Sequence, residues 1–113
     1  MLKRSKRIHG KTAIETIVKE GRRIPGPFFA TVALPNTVGF NRYAIAVSKK
    51  IEKSSVKRNR KRRQFYEIIR LAEQANAVPS TASSDIVLLV RAPSLTASFG
   101  DLQAALTSFL RHS

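Results

Sequence analysis

"RYAIAVSKKIEKSSVKRNRKRRQFYEIIR" (residues 42–70) joins two patterns that do not mix. It opens on a β-rich run, "RYAIAVS" (42–48), and closes on a helical one. Between Lys49 and Arg63 lie nine cationic side chains and a single acid, Glu52. Ser54 or Ser55 suits a helix N-cap, because a hydroxyl oxygen accepts an N–H that the first turn leaves unpaired. The helix this starts runs to about Asn76. At about 100° per residue, Phe65, Ile68, Ile69 and Ala72 fall together, the spacing of a face sealed onto a sheet. Asn59, Arg63, Tyr66 and Arg70 line the opposite side, flanked by Arg62 and Arg60. Lys61 lies on the sheet-facing edge, where its stem can pack while the ammonium reaches water.

The rest of the chain supplies the sheet. "KTAIETIVKE" (11–20) has Ile14, Ile17 and Val18 at helical spacing, with Thr12 as cap and Gly21 as stop. "PGP" (25–27) breaks the chain before "FFATVAL" (28–34), a β-rich run. A loop containing Pro, Gly and Asn separates it from 42–48, so the two runs are expected to be neighbouring antiparallel strands. "VPSTASS" (78–84) is a polar loop. "DIVLLVR" (85–91) is continuously apolar, as a strand covered on both faces must be. "FGDLQAALTSFLR" (99–111) is a last helix with Leu102, Ala105, Leu106, Phe109 and Leu110 on one side. The order predicts an α+β single domain over residues 1–113, with helices packed on one sheet.

Charge narrows the function. The 113 residues carry a net charge of +14. Residues 1 to 70 hold nineteen of the basic and four of the acidic side chains. A folded domain with a field this one-sided calls for a polyanionic partner, most simply nucleic acid. Cations packed at i, i+3 and i+4 repel one another unless an anion lies over them, which argues against a merely solvated face. The basic helix follows a strand rather than a short turn from another helix, so a helix-turn-helix DNA reader fits less well than an RNA-binding α+β domain.

Other classes fit poorly. With no cysteine, disulfides and thiolate metal sites are excluded. No apolar run approaches the ~20 residues a membrane helix needs, and the apolar side of the basic helix is required by the sheet, which disfavours a membrane-active helix. The basic start lacks a secretory h-region; a mitochondrial presequence is its rival reading, but the stretch flows directly into a structural helix, so a cytoplasmic protein is expected. Two-metal nuclease chemistry wants converging carboxylates. Here Glu15 and Glu20 are five apart and Glu67 and Glu73 six apart, neither a same-face spacing. His9 and His112, near the two ends, read as surface histidines. A binding subunit is expected, without a catalytic residue or metal ligand of its own.

The stretch 42–70 resembles the protein subunit of bacterial ribonuclease P. Val47-Ser48-Lys49-Lys50 resembles that family's strand-end motif, and Arg58-Asn59-Arg60, Arg62-Arg63, Glu67 and Arg70 its helix motif. "LKRSKRI", "IVKEGRR" and "DIVLLVRAP" extend the likeness over most of the chain. The resemblance implies a ribosomal-protein-like fold: a mostly antiparallel four-stranded sheet with a left-handed β-α-β crossover. It implies a protein that assists a catalytic RNA in removing the 5′ leader of precursor transfer RNA, an endonucleolytic hydrolysis served by Mg²⁺ through the RNA subunit. The implied partners are ribonuclease P RNA, one protein per RNA, and the precursor.

On that likeness the RNA-binding set is Lys49, Lys50, Lys53, Lys57, Arg58, Asn59, Arg60, Arg62, Arg63, Tyr66 and Arg70. A cleft for the single-stranded leader falls at Ile14, Val18 and Val32. Lys61 stands where the family has a hydrophobic residue, Tyr66 where it has an arginine, and the cleft positions are aliphatic where the family carries aromatics. The alternative is a small ribosomal or general RNA-binding structural protein with no processing role, which has no reason to reproduce the spaced motif from Val47 to Arg70.

Overall fold

A computed structural model describes residues 2–111; His112 lies outside the described residues. A 3-10 turn at Arg4–Lys6 leads into helix α1 (Lys11–Glu20), followed by strands β1 (Arg22–Ile24), β2 (Phe29–Pro35) and β3 (Arg42–Ala46). Helix α2 (Ser55–Gln74), strand β4 (Ser84–Val90), a 3-10 turn (Ala92–Leu95) and helix α3 (Phe99–Arg111) complete the chain. The sheet order is β1-β2-β4-β3.

The expected β2–β3 pairing is therefore wrong. β4 lies between them, antiparallel to β2 with Val32 opposite Val87, and parallel to β3 with Ala44 opposite Val87. The run that needs cover on both faces takes the centre, and α2 is the long crossover that a parallel pair requires. β1 pairs with β2 and all three of its residues are exposed. Arg22-Arg23-Ile24 has no alternation to announce a strand, and its cations suit an unpaired edge.

The sheet is covered on both faces. Phe29, Tyr43, Ile45, Ile86, Leu88 and Val90 meet Phe65, Ile68 and Ile69 of α2 and Leu102, Leu106 and Leu110 of α3. Phe29 and Phe65 meet edge-to-face with centroids 5.8 Å apart. The alternate residues Val32, Ala44 and Val87 form a smaller cluster with Ile17 of α1. Gly21 makes this approach possible: a Cβ there would lie 2.7 Å from both the Ile17 carbonyl and Val32 Cγ1. The cap of α1 is Gly10 at φ 94° rather than Thr12, whose carbonyl accepts from Thr16 inside the helix. The chain turns sharply there because the Ile8 N–H is held by the Tyr43 carbonyl at 2.7 Å. At its other end α2 stops two residues before Asn76, which takes φ 56° in the left-handed region as the Ala77 N–H closes on the Ala72 carbonyl.

Candidate nucleic-acid interface

The site begins where β3 ends. Val47 is buried, and the Ser48 carbonyl accepts the N–H groups of Ile51 and Glu52, each at 3.2 Å, so the chain folds into a turn with Lys49 and Lys50 exposed. Lys53 is exposed as well. Ser54 caps α2, accepting the Lys57 N–H at 3.3 Å. The first turn of α2 holds no acid. Cations there oppose the helix dipole, an arrangement that an anion over the helix start relieves.

Around α2 the eleven expected residues divide. Lys57, Asn59, Arg60 and Arg63 are exposed. Arg62 is half-buried and donates to the Asn59 side chain, which joins the two. Arg58 turns back on the preceding loop, its guanidinium donating to the carbonyls of Glu52 at 3.0 Å and Lys53 at 2.8 Å. Arg70 is paired with Glu67 and donates to Gln74 at 3.1 Å. The hydrogen bond from Arg70 holds the Glu67 carboxyl below its ordinary range.

Tyr66 is the clear departure from the helical wheel. It is half-buried beside the larger core, with Arg7 over its ring at 5.9 Å from the centroid. Burial pushes its phenol up, against a hydrogen bond with the Ile45 backbone and the charges of Arg7 and Arg62. The cover comes from the start of the chain: Leu2 is buried in the core, and Lys6 reaches Glu73 at 2.5 Å. The wheel weighed α2 against the sheet alone. Lys6 and Arg7 escaped it because a basic opening carries no sign of where it packs.

Lys61 also differs. Its ammonium turns to protein partners, donating to Gln64 Oε1 at 2.8 Å and to the Ser94 carbonyl at 3.0 Å. Burial lowers its pKa. Of the expected cleft, Ile14 is half-buried against the smaller cluster and Val18 is 36% exposed, whereas Val32 has no exposed surface at all. Val32 faces the sheet side that α1 seals, so it cannot line an open cleft. Among the described residues no three His, Asp or Glu side chains gather as metal ligands, and no helix is long and apolar enough to cross a membrane.

Fold and surface together define a small α+β protein with one heavily cationic helix laid across a sheet. Residues 2–113 match the family described as Ribonuclease P. The chain belongs to the ribonuclease P protein family. It is 33% identical to the ribonuclease P protein component of Syntrophus aciditrophicus over 101 residues, 89% of this chain and 81% of that one. It is 31% identical to that of Thermoanaerobacter pseudethanolicus over 94 residues, 83% and 77% of the two chains. In fold it is similar to the RNase P protein from Thermotoga maritima (TM-score 0.81, 22% identity, 95% of this chain and 96% of that). It is similar also to the Staphylococcus aureus RNase P protein (TM-score 0.78, 23% identity, 95% and 94%).

Proposed function

We propose that this chain serves ribonuclease P by binding its catalytic RNA along the turn after β3 and the exposed side of α2. It thereby assists removal of the 5′ leader from precursor transfer RNA. The observation that carries this is the run of exposed polar and cationic side chains Lys49, Lys50, Lys53, Lys57, Asn59, Arg60 and Arg63 in a member of this family. Flat guanidiniums and mobile ammoniums suit phosphate oxygens. About five or six phosphate contacts give a log–log salt slope of roughly −4 to −5. Arg58 holds the loop in shape, and Arg62 and Asn59 act together. Hydrolysis belongs to the RNA subunit with its Mg²⁺, one protein serving one RNA. Ile14 and Val18 offer the leader aliphatic contact beside α1, without the stacking energy an aromatic ring would add.

Reconstitution tests the reading. Purified, RNA-free protein should leave precursor transfer RNA uncut. Added to a bacterial ribonuclease P RNA at low Mg²⁺, it should raise the cleavage rate, because protein cations replace screening that metal otherwise supplies. Cleavage by the protein alone, or no gain on adding it to the RNA, would overturn the proposal.

A further inference from the structure

The 3-10 turn after β4 and the start of α3 stand off from α2, leaving an open groove of about 680 Å³. Leu95 and Phe99 supply its apolar wall, and Phe99 is 37% exposed. Lys57, Arg60 and Arg63 supply a cationic rim. Lys61 ties the two walls together through Gln64 and the Ser94 carbonyl, so the groove is braced rather than a gap between loose elements. Glu52 and Glu67 also line it. Phe99 continues the stripe of Leu102, Leu106 and Leu110 by one turn beyond the core.

An exposed aromatic ring beside three cations matches a ligand that is flat and anionic at once. A nucleotide is such a ligand; an acidic side chain of a peptide carries the charge without a flat ring to lie on Phe99. Building on the RNA-binding reading above, we propose that the groove receives one unstacked nucleobase of the RNA partner. Its ring lies against Phe99 and its phosphate on the Lys57, Arg60 and Arg63 rim. Glu67 is kept ionised by Arg70 and can only accept hydrogen bonds, so bases with an exocyclic amine should be preferred to uracil.

Phe99→Leu keeps an apolar side chain and removes the ring. At fixed salt it should weaken binding of a bacterial ribonuclease P RNA by about 5- to 100-fold, the loss of one base–aromatic stack. The salt slope should not change, whereas Arg63→Ala should make it shallower. The chain has no tryptophan, so Phe99→Trp adds a single fluorescent reporter. Its emission should be quenched on adding the RNA, and more by a single-stranded oligoadenylate than by an oligouridylate. Should Phe99→Leu fail to fold, the tryptophan variant decides alone. An unquenched reporter, or full affinity in Phe99→Leu while Arg63→Ala binds weakly, overturns the groove and leaves RNA binding by α2 intact. If neither Phe99→Leu nor Arg63→Ala loses affinity, the RNA is held away from this side of α2, and the proposed binding surface falls with the groove.

Discussion

The two halves of α2 do different work. Its buried residues, Phe65, Ile68, Ile69 and Ala72, all lie in the second half. The first half has none, and is held only at points: the Ser54 cap, the Arg58 contacts to the Glu52 and Lys53 carbonyls, and the Lys61 bridge to Ser94. Burial and exposed positive charge are thus separated along the helix as well as around it. The anchored half sets the position of a cationic half whose Lys57, Asn59, Arg60 and Arg63 side chains project into solvent. Changes in one half should leave the property of the other nearly untouched, which gives a way to break the comparison.

The largest effect is expected in the anchor. Ile68 is fully buried against the sheet. Ile68→Ala should cost about 2 to 5 kcal/mol of folding stability through the cavity it opens. Denaturant unfolding measures that loss. RNA affinity, read where the variant is still folded, should remain near that of the parent. A variant that melts normally but loses RNA binding would mean that the assignment of the halves is reversed.

Arg63→Ala tests the projecting half and comes next. It should weaken binding to ribonuclease P RNA by about 1 to 3 kcal/mol through loss of a charge-assisted phosphate contact, with a shallower salt dependence. Its melting curve should hardly move, since Arg63 is exposed. Unchanged affinity would return this surface to a merely solvated one.

The anchored half was legible in the sequence because burial imposes spacing: i, i+3, i+4 and i+7 from Phe65 could serve little else beside a strand. The cover on both faces of β4 was legible in the same way, from a continuous apolar run, but its place between β2 and β3 was not. What could not be read depends on partners distant in the chain. The loop between β2 and β3 says nothing about a third strand arriving after α2 to separate them. Tyr66 looked free because residues 2 to 7, sixty positions earlier, carry no period that assigns them to its flank. Val32 looked available until the size of Gly21 let α1 settle on it. The exposed side chains needed no such partner, so Asn59, Arg60 and Arg63 lie where the wheel put them.

Ser54→Ala addresses the fixing of the projecting half. Removing the hydroxyl that accepts the Lys57 N–H should destabilise the protein by about 1 kcal/mol, the usual cost of losing an N-cap. Amide hydrogen exchange gives the sharper view. Protection should fall in the first turn of α2 and persist around Ile68 and Ile69. Uniform loss of protection would show the helix opening as one unit and would erase the division between its halves.

The smallest expected effect is at Lys61, where two terms nearly cancel. Lys61→Met keeps most of the stem and removes the charge. Burial lowers the pKa of this ammonium, so the charged form is held at some desolvation cost, and losing it returns that cost. Against this, the carbonyl of buried Ser94 loses its 3.0 Å donor and Gln64 Oε1 its 2.8 Å one. An acceptor left without its donor in a half-buried site costs about 1 to 3 kcal/mol, and restored apolar packing offsets part of it. The expected balance is a loss of somewhat under ~1 kcal/mol, measured by denaturant unfolding. A gain in stability would show that water satisfies the Ser94 carbonyl and that the ammonium is a net burden. In that case the groove beside Phe99 is braced by packing of α3 alone, and the projecting half of α2 is freer than its hydrogen bonds suggest.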